Sequence, residues 1–304
     1  MSEGETRSQR PHQGRQMELE MRTTATPEQV YAAWADPTKL SQWFTDNARG
    51  EAKPGSTMYW IFEKFGYEIP YEVVDAVPGK LFSLGGQLPG RPPFLLEIVI
   101  ERQGGETVMR LVNSGFLDGG KWDEEFEGVS SGWEMSLALL GYYLERHFGE
   151  PKRSFLVIEP AQFSLSSILR WYTEPELLAE WLAADSAAVQ APSEVGEWVR
   201  IPLTGGEQAI EGETLAVSRR EVAFSWVAED IVLELKAFTM GPNPVVAVRG
   251  TGWRTDAERF AAIEREMQSA LKRLAARLSE QTLALSPTSS VPDTRVAFGD
   301  APAG

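Results

Sequence analysis

The sequence predicts an α+β protein of two tandem domains, each a curved antiparallel sheet wrapped around a long C-terminal helix. Three observations carry that reading. Asp36-Pro37-Thr38-Lys39-Leu40-Ser41-Gln42-Trp43 recurs as Glu174-Pro175-Glu176-Leu177-Leu178-Ala179-Glu180-Trp181. Strand-like runs follow each copy. Each half then closes on an apolar stripe, Phe126, Val129, Trp133, Leu137, Leu140 and Leu144 in the first and Phe260, Ile263, Met267, Leu271, Leu274 and Leu278 in the second, at spacings of 3, 4, 4, 3 and 4. Such a stripe belongs to a helix lying on a sheet. The period is far too long for a solenoid, so the repeated unit is a whole domain. A chain of 304 residues has room for two.

The elements follow in order. Residues 1–16 are polar and read as a disordered arm. Met17 to Thr24 alternates like an opening strand. Thr26-Pro27-Glu28-Gln29 is a helix start: Thr26 can accept from a first-turn amide, Pro27 suits the first helical position, and Gln29 completes a capping box. Pro37 stops that helix, and Leu40 to Phe44 form another short turn or helix. Five strands follow, Met58 to Phe62, Tyr71 to Val77, Lys80 to Leu84, Phe94 to Arg102 and Glu106 to Asn113, separated by turns such as Pro78-Gly79 and Gly104-Gly105. The first domain spans 17–149 and the second 153–281, joined through the short Gly149-Glu150-Pro151-Lys152-Arg153 break. A junction that short implies that the domains pack on each other. In the second domain Ser164 takes the place of Thr26, and Val199, Ile201 and Leu203 match Met58, Trp60 and Phe62. Residues 285–304, rich in Pro, Ser, Thr, Gly and Ala, read as a disordered tail.

Composition excludes several functions. The net charge of −15 repels phosphate backbones, which argues against nucleic acid as a partner. No run approaches the ~18 apolar residues of a membrane span, and residues 1–16 lack the apolar core of a secretory signal. Without cysteine there are no disulfides, thiol nucleophiles or Cys-based metal sites. A soluble, cytoplasmic protein is expected.

The strand, helix pair, antiparallel meander and long helix resemble the helix-grip (START-like, Bet v 1-like, SRPBCC) fold. The local words narrow this. Ala35-Asp36-Pro37 with Leu40 and Trp43, Gly55 before an aromatic strand, Val77-Pro78-Gly79-Lys80-Leu81, Asn113-Ser114-Gly115-Phe116 and Gly132-Trp133 with Leu137, Leu140 and Tyr143-Leu144 resemble the family named for the activator of Hsp90 ATPase. In the second domain the echoes are Glu174-Pro175 with Leu178 and Trp181, and Gly250-Thr251-Gly252-Trp253, while Gly132-Trp133 has become Glu266-Met267. The resemblance implies a sheet curled around the last helix, often with a cavity between them. It does not imply one activity, because relatives bind lipids, hormones or polyketides, or act as cyclases.

The candidate ligand wall is Trp60, Phe62, Leu96, Ile98, Met109, Leu111, Trp133 and Leu137, with Asn113 and Tyr143 as orienting hydrogen-bond groups. The competing reading is that these residues simply fill a core. In the second domain aliphatic residues replace the strand aromatics, which favours a filled core there. Asp118, Asp123, Glu124, Glu125 and Glu127 flank the last helix of the first domain and complement its dipole, so no metal site is assigned. His12 lies in the arm and His147 in a last helical turn, neither with a partner at catalytic spacing. No catalytic set and no cofactor follow. The expected function is non-catalytic binding of a small apolar or aromatic molecule, chiefly in the first domain. A protein-interaction module with a chaperone partner is the second reading, although nothing matches a separate Hsp90-binding domain. A cyclase or hydrolase using a buried carboxylate is the third.

Overall fold

The computed structural model describes residues 15–87, 92–182, 186–203, 208–240 and 243–285. The first unit runs β1 (Arg15–Thr23), α1 (Pro27–Ala35), α2 (Pro37–Ser41), β2 (Asn47–Gly50), β3 (Thr57–Phe62), β4 (Tyr67–Val77), β5 (Leu81–Gln87), β6 (Pro93–Gln103), β7 (Glu106–Phe116) and α3 (Lys121–Arg146). The second runs β8 (Arg153–Pro160), α4 (Arg170–Thr173), α5 (Pro175–Ala179), β9 (Trp198–Pro202), β10 (Ala209–Val217), β11 (Glu221–Trp226), β12 (Ile231–Met240), β13 (Asn243–Gly252) and α6 (Ala257–Leu285). The sheet orders are β1-β7-β6-β5-β4-β3-β2 and β8-β13-β12-β11-β10-β9. In each, a meander returns its last strand antiparallel to the first. The chain is therefore two tandem helix-grip units of one topology. The additional strand of the first unit, β2, is a polar edge segment, Asn47-Ala48-Arg49-Gly50, without the alternation that marks a strand in sequence.

The recurring Trp has a local reason. Trp43 donates its indole N–H to the carbonyl of Ala33 at 2.9 Å, and Trp181 donates to that of Trp171 at 3.0 Å. Each bond folds the short second helix back on the first. The start of α1 is the expected capping box, with Gln29 N donating to Thr26 Oγ1 at 3.2 Å and Thr26 N to Gln29 Oε1 at 2.9 Å. Its counterpart in the second unit differs: Ser164 does not open a helix, and only Arg170–Thr173 is helical. No proline follows Ser164, and the serines bond to one another and to nearby carbonyls, Ser167 Oγ to Ser164 O at 2.9 Å among them. Two boundaries also shift. β1 begins at Arg15, inside the expected 1–16 arm, and α6 continues to Leu285, beyond 281. The rest of the arm, with His12, and the tail from 286 lie outside the described residues.

Helix α3 lies between the two sheets. One side rests on β1, and another meets β10, β11 and β12 of the second unit. Met135 is fully buried there against Ala216 and Ala223, Ser131 Oγ meets Ser218 Oγ, and Arg219 pairs with Glu127 at 2.6 Å. All six residues of β11 are buried, as expected of a strand covered on both faces. A second seam joins the units at the end of α3. Trp253 donates to the carbonyl of Gln42 at 2.9 Å and stacks on His147, with ring centroids 4.4 Å apart and planes within 3°. His147, at the end of α3 as expected, is thus also a buried contact between the units. Its Nδ1 is 3.2 Å from Glu150 and its Nε2 3.2 Å from Asp230. No helix among the described residues is long and apolar enough to cross a membrane.

Candidate functional site

Both closing stripes have the same spacing, but only one is sealed. In α6 every stripe residue from Phe260 to Leu278 is buried, whereas Phe126, Val129 and Trp133 of α3 are only half-buried. A cavity of about 440 Å³ opens beside them. Small residues on α3 make the room: Gly132 and Ser136 line it, and a Cβ added at Gly132 would meet nothing within 4 Å. Aromatic rings form a large part of the wall, with Phe44, Phe62, Tyr67, Tyr71, Phe94 and Trp133 among them. They contact one another as well as the cavity. Phe44 stacks on Trp133 at 5.5 Å, and Phe62 meets Phe44 edge-on at 5.6 Å. Burial raises the pKa of the Tyr71 phenol, with the Tyr67 phenol adding to it, so Tyr71 stays protonated at neutral pH.

The Asn113-Ser114-Gly115-Phe116 segment forms another side of the cavity. Its glycine is required: Gly115 has φ +94°, and a Cβ there would lie 2.6 Å from the Pro93 carbonyl oxygen. Polar groups are sparse. Ser136 Oγ donates to Gly132 O at 2.7 Å, Ser114 Oγ to Leu95 O at 3.4 Å, and Glu125 of α3 is the carboxylate in the wall. Two cationic groups come from the second unit. Lys236 of β12 and Arg249 of β13 reach the cavity from the outer face of that sheet.

Residues 24–145 match the family described as Activator of Hsp90 ATPase homolog 1-like protein. That match falls within the first unit, from just before α1 to the last turn of α3. Among solved structures, the chain is similar to the Aha1 dimer from Colwellia psychrerythraea, with 21% identity over 44% of this chain and 99% of that one and a TM-score of 0.39. It is similar to DynU16 of the dynemicin biosynthetic locus, with 14% identity over 88% and 98% and a TM-score of 0.39. It is similar also to the di-domain ARO/CYC BexL from the BE-7585A biosynthetic pathway, with 13% identity over 89% and 95% and a TM-score of 0.40. No curated protein matches the chain.

Of the expected wall residues, Phe62, Asn113 and Trp133 line the cavity. The other expected wall residues are not on its surface. Leu96, Ile98, Met109, Leu111 and Leu137 are buried in the core, where the sheet closes against α1 and the C-terminal half of α3. Trp60 is buried directly behind the wall, its ring 5.2 Å from Phe44 and 4.6 Å from Tyr71. Tyr143 belongs to the seam between units. Its hydroxyl donates to Gln42 Oε1 at 2.7 Å and accepts from Gly149 N at 3.1 Å, and burial pushes its pKa up to about 12. The alternation placed these side chains on the correct face but could not say which end of the sheet is open.

The acidic cluster disperses. Asp123 pairs with Arg15 at 2.9 Å, and no group of three metal-ligating residues occurs among the described residues. In the second unit a recess of about 430 Å³ opens at the corresponding edge, lined by Leu182, Leu203, Met267 and Ala270 with Arg265, Glu266 and Arg273. Leucine and methionine stand there where the first unit has Phe44, Phe62 and Trp133, so the aromatic character is lost.

Two buried carboxylates, Glu221 and Glu234, lie on the outer face of the second sheet. Burial raises Glu221. It acts on Glu234 too, but the Lys236 and Arg249 charges outweigh it and hold that carboxylate below its ordinary range. Sequence reasoning missed Lys236 and Arg249 because their relation to the cavity depends on how the units meet. The available signal was polar residues in strands whose neighbours are nearly all apolar.

Proposed function

We propose that the chain binds a small apolar or aromatic molecule in the cavity of its first unit without transforming it. The observation that carries this is a ring-lined space of about 440 Å³ beside a helix that presents Gly132 and Ser136 to it. Sites for small molecules commonly measure roughly 300–1,000 Å³ and are mostly apolar with a few polar groups. Binding is favoured over catalysis because the two serine hydroxyls of the wall, Ser114 and Ser136, donate to backbone carbonyls.

The test uses N-phenyl-1-naphthylamine, a neutral aromatic whose fluorescence rises in apolar surroundings, together with Gly132→Leu. Leucine improves helix propensity by roughly 0.5–1 kcal/mol and projects its side chain into the cavity. The expected result is saturable binding to the wild type, weakened at least about tenfold in the variant, with an unfolding midpoint equal to or above that of the wild type. Unaltered affinity in Gly132→Leu would refute the cavity as the site. Native mass spectrometry of the purified chain gives an independent reading, since a co-purifying molecule would reveal the chemical class.

A further inference from the structure

The two cations in the wall do not belong to the unit that forms the cavity. On β12, Ile231, Leu233 and Leu235 point into the second core, so Val232, Glu234 and Lys236 face outward, toward the first unit. On β13, Val246 and Val248 point inward and Arg249 outward. Register sets the charges opposite one another: Glu221 pairs with Lys236 across β11 and β12, and Glu234 with Arg249 across β12 and β13. Lys236 Nζ is 3.1 Å from Glu221 and 3.3 Å from Glu234, while Arg249 Nε is 3.4 Å from Glu234.

These four groups sum to zero charge, yet they are not equally accessible. The Lys236 and Arg249 side chains are 17% and 21% exposed and line the cavity. The Glu234 and Glu221 side chains are 2% and 10% exposed and do not. The carboxylates therefore stand behind the cations, and a molecule in the cavity meets N–H groups. An ammonium has three such donors, of which the glutamates engage two. The guanidinium has five, of which one bonds Phe44 O at 3.0 Å and another faces Glu234. Phe44 is itself a wall residue, so Arg249 is anchored at the cavity edge.

We propose that the second unit supplies the anion-recognising end of this site, so that its ligand is an aromatic molecule carrying an anionic oxygen group of the carboxylate or sulfonate class. The proposal rests on the cavity being the ligand site. It gives the second unit a role other than that of a second binding copy: its outer sheet face completes the site of the first. Glu125 is the carboxylate of the wall itself, contributed by α3 rather than by the second sheet.

A matched pair of probes separates this proposal from the reading beneath it. N-phenyl-1-naphthylamine and 1-anilinonaphthalene-8-sulfonate share one framework and differ by the sulfonate. The full-length wild type is expected to bind the sulfonate more tightly. In Arg249→Gln the sulfonate should lose about tenfold in affinity, in line with one charge-assisted hydrogen bond, while the neutral probe changes less than about twofold. Because Arg249→Gln leaves Glu234 with one cation fewer, the double variant Glu234→Gln/Arg249→Gln is measured too; it keeps the buried charge balanced and should show the same selective loss. Equal affinity of the two probes for the wild type, or equal losses of both in the variants, would overturn the anion-recognising role while leaving the cavity reading intact. Failure of both probes to bind the wild type would overturn both.

Discussion

At the scale of residues, the outer face of the second sheet concentrates the chain's electrostatic risk. Glu234 is 1% exposed, and a carboxylate buried so completely is tolerated only because Arg249 and Lys236 flank it. Its pKa is lowered in the folded protein, so the unfolded chain binds that proton more readily. Its contribution to stability is then fully present above its ordinary value of 4.5 and is lost as pH falls through the lower folded value. Glu221 has the opposite sign: burial raises it, so its contribution is present below 4.5 and fades as pH rises through the folded value. Glu234→Gln should therefore cost about 3–5 kcal/mol at neutral pH, by leaving Arg249 short of a partner. It should also lose less of its remaining stability than the wild type on acidification, and urea midpoints measured from about pH 7 to 3 test both effects. An acid limb as steep in the variant as in the wild type would contradict this account. Nothing in the sequence marked either glutamate as buried. Their charge matters only because a second domain covers them, and no local pattern encodes that cover.

At the scale of elements, α3 shows how far a periodic reading reaches. The stripe from Phe126 to Leu144 correctly identified the helix and the side that meets its own sheet, and the alternation in β3 and β6 correctly identified the opposing faces. Those patterns are local consequences of 3.6- and 2-residue periods and can be read from one sequence. Met135 lies off the stripe, yet it is fully buried against Ala216 and Ala223 of β10 and β11. Small residues on the outer face of β11, Ala223 and Ser225, allow a helix to approach that side while Val222, Phe224 and Trp226 fill the inner core. Met135→Ala should accordingly cost about 2–5 kcal/mol, the range of a buried large-to-small change, when measured by equilibrium urea unfolding of the full chain. A cost within about 0.5 kcal/mol, typical of a surface site, would mean that this side of α3 is solvated.

At the scale of the whole molecule, the two units share material rather than merely touching. Trp253 and Val232 belong to the second unit by sequence but lie within the hydrophobic cluster of the first. Trp253 bonds Gln42, whose side chain holds Tyr143 and Gly149, and it stacks on His147. Arg249 bonds Phe44, and Arg254 bonds Glu150 at 2.6 Å. The cooperative unit of folding is therefore expected to be the pair. Full-length protein should unfold in a single calorimetric transition whose van't Hoff and calorimetric enthalpies agree. Trp253→Ala removes the indole from the middle of this seam at a cost of about 3–5 kcal/mol. Because that loss falls on the coupling between units more than on either core, the variant should unfold in two resolved transitions. The earlier one should be assigned to the second unit, whose buried Glu221, Glu234 and Lys236 depend on the first for their cover. Two transitions in the wild type would show that the seam contributes little to cooperativity. A single, simply shifted transition in Trp253→Ala would show that α3 and its contacts with β10 to β12 are sufficient to hold the units together.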